Sequence, residues 1–251
     1  MSKLFTWWIV TLLISAVLCP LGQPYARGDE DDQTGTKGVI SVEPIKKPST
    51  NLVRLTKDYP IWIDTQRNLV LVDGEICLRE GLLEMFACPR GTKEHESIVA
   101  VNCPAQYVHA ALLAVGAEPG RPVQFAPEYV PASGTIVDVF VLWIDQDGRQ
   151  RSTRAQEWIR YQKTGEPMAY DWVFAGSGFW TDEQTGERIY YGDGGDFICV
   201  SNFATATLDL PVASPQDNAD LLFSALTENI PPLGTRVRLV LRPRLEPSTQ
   251  P

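Results

Sequence analysis

The stretch NLVLVDGEICLR, from Asn68 to Arg79, decides how the rest of the chain is read. Two runs of strand-forming residues, 68–72 and 75–79, flank Asp73-Gly74. That dipeptide favours a tight two-residue turn, so the spacing predicts a β-hairpin. Working outward, strands are expected at 82–88, Ser97–Val101, Ile136–Ile144, 172–175, 189–191 and 197–201. The run Ile136–Ile144 is apolar on both faces except at Asp138, as a central strand requires. Near the end Arg236, Arg238 and Arg242 alternate with Val237, Leu239 and Leu241, the period of a half-exposed strand. The basic face of Arg236, Arg238, Arg242 and Arg244 reads as a solvated sheet face. Acidic groups such as Asp29 to Asp32 are its natural alternative partners.

The clearest helix is 104–115. Pro104 suits the first helical position, with Asn102 or Cys103 before it as cap. Val108, Ala111, Leu112 and Val115 make an apolar stripe, and Gly116 supplies the stop. A second short helix is expected at 154–161, where Thr153 and Gln156 have capping-box spacing. Residues 215–227 fit either state: Ala219, Leu222, Phe223 and Leu226 suit a helix, while Leu221, Phe223 and Ala225 suit a strand. The expected fold class is therefore α+β, a strand-rich, mostly antiparallel sheet with two or three packed helices.

Composition narrows the function. The 251 residues are 44% hydrophobic and 21% charged, which excludes wholesale disorder. Lys and Arg number 22 against 31 Asp and Glu, a formal charge of -9. Such a chain has no general electrostatic reason to bind nucleic acid. After Met1-Ser2-Lys3, residues 4–18 are apolar apart from Thr6, Thr11 and Ser15, and Pro20 and Gly22 follow. This is the pattern of a secretory signal peptide, and it is short for a membrane span. The expected organisation is a signal peptide at 1–26, a flexible acidic and Pro-containing linker at 27–51, one globular domain at 52–243 and a disordered tail at 244–251. The expected location is outside the cytosol, periplasmic or secreted. Membrane contact arises only through the N-terminal segment if it stays uncleaved.

Three constellations carry candidate chemistry. Both histidines fall near Lys93-Glu94-His95-Glu96-Ser97, and His95, Glu96 and His109 are residue types that hold a divalent metal. Geometry opposes joint ligation: a strand from His95 to Val101 rises about 20 Å, and the following helix returns only about 6 Å by His109. After signal removal four cysteines remain, Cys77, Cys88, Cys103 and Cys199. An even number is compatible with two disulfides in one of three pairings, and buried free thiols are the alternative. Without a C-x-x-C spacing, no iron–sulfur cluster is expected. Finally, Ser177, Phe179, Trp180, Tyr190, Tyr191 and Asp193 lie in a Gly-rich aromatic stretch suited to a ligand surface, such as a sugar platform. Ser177 lacks the G-x-S-x-G spacing of a nucleophile elbow. Asp193 and Asp196 suit calcium or, equally, Gly-rich turns.

The runs GEICLREGLLEMFACPRGTKEHESIV (74–99), VHAALLAVGAEPG (108–120), WVFAGSGFW (172–180) and SNFATATLDLP (201–211) resemble the bacterial YdjY-domain family. The resemblance spans most of 52–243. It implies an exported bacterial protein with this single domain, and it implies no activity. The leading functional reading is a non-catalytic, envelope-associated binding module with a glycan or protein partner. The alternatives are a metal-dependent or carboxylate-based hydrolase using His95, Glu96 and His109, and a redox or electron-transfer protein.

Overall fold

The computed structural model describes residues 51–217 and 219–245. The expected leader, the linker up to residue 50, Asn218 and the tail from residue 246 lie outside these. Eight strands close on one another: β1 (Leu69–Ile76), β2 (Met85–Pro89), β3 (Ser97–Val101), β4 (Ile136–Ile144), β5 (Trp172–Phe174), β6 (Ile198–Cys199), β7 (Leu208–Asp209) and β8 (Arg236–Pro243). Their order is β1-β8-β4-β5-β7-β6-β2-β3, and β3 returns to pair with β1. The result is a closed, strand-rich β-barrel, which overturns the expected α+β class. Two neighbour pairs, β2–β3 and β6–β7, are parallel, and the other six are antiparallel.

The predicted hairpin at 68–79 is where the expectation fails. Asp73 and Gly74 sit in the middle of β1. Gly74 is opposite Val237 of β8 on one edge and Val101 of β3 on the other. A Cβ at Gly74 would lie 2.5 Å from the Ala100 carbonyl oxygen. The glycine is there for close backbone approach rather than for a turn. It allows β1 to hold two neighbours where the barrel closes.

Alternation fills the barrel. Val70, Val72 and Ile76 of β1, Val137, Val139 and Val141 of β4, and Val237, Leu239 and Leu241 of β8 are all buried. An eight-stranded barrel is just wide enough for such side chains to fill it. Each fully buried aliphatic contributes about 1.5–3 kcal/mol over exposure. Three of the four arginines expected on a solvated face, Arg238, Arg242 and Arg244, have acidic partners. Arg238 makes a two-pronged hydrogen bond to Asp73 and lies 4.6 Å from the Trp62 ring centre. Arg242 and Arg244 converge on the buried Asp138, and Arg244 also reaches Asp171.

Among the described residues there is one α-helix, α1 (Ala105–Ala114), so the expected two or three packed helices are corrected to one. Residues 155–158 form a short 3-10 turn without the expected capping box, and 159–161 continue as a strand. That strand pairs with Phe223–Ala225, which resolves the ambiguous segment as strand there. No described helix is long and apolar enough to cross a membrane. Nor does α1 take its cap from Asn102 or Cys103: Asp193, far along the chain, accepts a 2.9 Å hydrogen bond from the Gln106 amide. It thereby satisfies an amide that a helix start otherwise leaves free.

Candidate functional site

Two polar networks and one exposed hairpin meet around the segment 176–209. The first network is centred on Tyr190, whose hydroxyl donates to the Gly176 carbonyl at 3.2 Å and lies 3.1 Å from the Thr207 hydroxyl. His109, carried by α1, places Nδ1 3.0 Å from the same hydroxyl. Either Nδ1–H or the Tyr190 hydroxyl donates across this contact, according to the imidazole tautomer. The imidazole also meets Phe174 and Tyr190 edge-on. Burial pulls the His109 pKa below its ordinary value, opposed in part by the Gly176 carbonyl. Burial also pushes Tyr190 up to about 12. Ser177 joins by donating to the Thr205 carbonyl and accepting from the Gly192 amide.

The second network is centred on Lys93. Its Nζ lies 3.1 Å from Asp196, 3.5 Å from Glu96 and 3.6 Å from Glu84. The ammonium also sits 4.4 Å from the Phe203 ring centre. Gly195 makes room for the lysine stem: a Cβ there would lie 2.6 Å from Lys93 Cγ, and its φ of +131° suits glycine alone. Burial works against the Lys93 charge, but Asp196, Glu96 and Glu84 outweigh it and raise its pKa. Burial, then repulsion from Glu96, raises Glu84. Thr205 donates a short hydrogen bond to Asp196 Oδ2. Behind this group Asp209 is wholly buried. It accepts from Asn202, Phe203 and Leu210, yet burial dominates and raises it to about 7.

The hairpin differs from both networks. Phe179–Thr181 pairs with Arg188–Tyr190 as a two-stranded sheet separate from the barrel. Alternation puts Phe179, Tyr190 and Arg188 on one face, and Arg188 lies 4.1 Å from the Phe179 ring centre. Trp180, Ile189 and Tyr191 share the other face. Phe179 is 44% exposed, Trp180 40% and Tyr191 42%. Gly178 lies beneath the Tyr191 ring, so that face carries no side chain between strand and ring there.

The sequence-predicted residues divide among these places. Ser177 and Tyr190 belong to the inner network, Phe179, Trp180 and Tyr191 to the exposed hairpin, and Asp193 to the α1 cap. His95 is 77% exposed and lies 3.8 Å from Glu96. His109 contacts Tyr190, Phe174 and Gly176, none of them from the Lys93–Ser97 segment. Among the described residues no group of three or more His, Cys, Asp or Glu is placed to hold a metal ion. The cysteines correct the disulfide expectation: Cys77, Cys88, Cys103 and Cys199 are free thiols. Cys77 bonds to the Ile98 and Ser97 carbonyls on one edge of β3, while Cys88 pairs along the other, so a strand separates them. Burial pushes Cys77 and Cys103 up to about 12. Glu84 and Asp209 escaped sequence reasoning, which took Lys93 only as a neighbour of His95 and Asp196 only as a calcium or turn residue. The available signal was a lone lysine in an acidic run and the glycine pair before Asp196.

A family model for the YdjY domain matches residues 61–242, which takes in all eight barrel strands up to Arg242. The chain belongs to the YdjY-domain family. No curated protein matches it, and no solved structure matches it. The YdjY family has no known function, and the activity of this member is likewise unknown.

Proposed function

We propose that this YdjY-domain protein is an exported, non-catalytic binding module that presents the 179–190 hairpin to an envelope glycan. The observation that carries the reading is the exposure of Trp180 and Tyr191 on one hairpin face. Large aromatics left in water on a protruding element suit stacking against the apolar face of a sugar ring. Glu183 and Glu187, exposed in the connecting loop, are acceptors for sugar hydroxyls. The catalytic-type side chains do not compete for this role. The His109 imidazole, the Tyr190 hydroxyl and the Lys93 ammonium are each engaged by other protein groups. The N-terminal apolar run supports export, and with it access to the envelope.

Co-sedimentation of purified protein with insoluble peptidoglycan tests the reading. The wild type is expected to pellet with the glycan, and the Trp180→Ala/Tyr191→Ala double variant to remain soluble with an unchanged circular dichroism spectrum. Equal pelleting of the two, or none by the wild type, contradicts it.

A further inference from the structure

We propose that Lys93 and Asp196 condense spontaneously into an intramolecular isopeptide bond that covalently staples the barrel. The two residues come from connections far apart in sequence, one leading from β2 to β3 and one leading into β6. The reacting groups are already in contact, with Nζ 3.1 Å from Oδ1. The carbon to be attacked, Cγ, is the atom bonded to Oδ1, so the nucleophile is held beside its target, where intramolecular reactions gain most. Oδ1 is buried and outside hydrogen-bonding geometry, so it is not held by another donor. The Thr205 hydroxyl is bonded to Oδ2 and positioned to stabilise negative charge as it develops there.

The neighbours supply the proton traffic. Glu84 and Glu96 flank the ammonium at 3.6 and 3.5 Å. Glu84 takes a proton from Lys93, and the carboxyl of Asp196 takes a second proton as the amine attacks its Cγ. A C–N bond forms, the Cγ–OH bond breaks, and the departing hydroxyl leaves as water with the proton returned by Glu84. The balance is one ammonium plus one carboxylate to one amide plus one water, with no oxidant or co-reactant. The Phe203 ring and the buried Met85, Cys199 and Ala206 beside it form an apolar wall. Condensation removes one charge of each sign from beside this wall and leaves Glu84 and Glu96 in place. Gly195, closed against the lysine stem, holds the nucleophile in position. The bond would give this chain, whose four described cysteines are free, a covalent tie of another kind. The proposal is independent of what the hairpin binds.

Mass spectrometry of the purified, denatured and reduced full chain tests it. The expected wild-type mass is about 18 Da below that of the sequence, allowing for any N-terminal cleavage seen in the same spectrum. Tryptic digestion should yield one branched peptide joining Lys93 to Asp196. The Lys93→Arg variant should show the full mass. Asp196→Asn, if it condenses, loses ammonia instead, about 17 Da. A wild-type mass without the deficit after prolonged incubation of the folded protein overturns the proposal. So does a deficit that persists in Lys93→Arg.

Discussion

Tyr190 and Tyr191 are adjacent in sequence and opposite in fate. Tyr190 is buried, with its hydroxyl shared among His109, Gly176 and Thr207, whereas Tyr191 is 42% exposed at the hairpin face. The same contrast holds for the larger regions they represent. Inside, around Tyr190 and Lys93, nearly every polar group has a protein partner. On the hairpin, aromatic surface is left in water. A satisfied polar network signals architecture, because burying it without partners is costly. Unburied aromatic surface signals recognition, because folding alone does not require it.

The contrast breaks most sharply at Lys93. Lys93→Ala removes the proposed tie to Asp196 and leaves Glu84, Glu96 and Asp196 facing one another without a counter-charge. Allowing for partial exposure, the expected loss is about 2–4 kcal/mol in urea unfolding. A loss below about 0.5 kcal/mol, the range of ordinary surface substitutions, would show that the inner network is not structural. Gly74→Ala tests the barrel seam, where the added Cβ meets the Ala100 carbonyl. A cost of about 1–3 kcal/mol is expected, and full stability would argue against closure there. Asp193→Ala removes the cap of α1 and should cost about 0.5–2 kcal/mol, with earlier amide exchange at Gln106.

The inner network also predicts a pH dependence of two signs. The folded pKa of His109 lies below its ordinary 6.5, so the unfolded chain binds the proton better. Its contribution is neutral above 6.5 and turns destabilising as pH falls below it. Asp209 has the reverse sign: raised from 3.8 to about 7, it favours the fold fully below 3.8 and loses that contribution as pH rises through 7. The stability difference between the wild type and His109→Gln should be constant above about pH 6.5 and shift against the wild type only below it. A difference that already varies with pH above that value would assign the effect elsewhere. The smallest stability effect is expected at the hairpin, where Trp180→Ala should stay within about 0.5 kcal/mol of wild type.

Much of the fold was readable where local signals and tertiary demands agree. Ile136–Ile144 and Ser97–Val101 are strands with the expected bounds, and α1 lies within 104–115. Asp73-Gly74 misled because its local chemistry is that of a turn, while its role depends on Ala100 and Val101 across the seam. Two-residue strands such as β6 and β7 are too short to show a period, so closure into a barrel had no visible signature. The candidate surface was legible through Phe179, Trp180 and Tyr191, whose clustering is local. The Lys93 group was not, because its carboxylates come from positions 84, 96 and 196, brought together only by the fold.

The affinity of soluble peptidoglycan fragments for Tyr190→Phe and Tyr191→Ala, titrated where both variants are folded, tests the division between the regions most directly. The division predicts near wild-type affinity for Tyr190→Phe, despite a stability loss of about 1–2 kcal/mol, and at least about tenfold weaker binding for Tyr191→Ala at undiminished stability. Weaker binding by Tyr190→Phe with unchanged binding by Tyr191→Ala would contradict it.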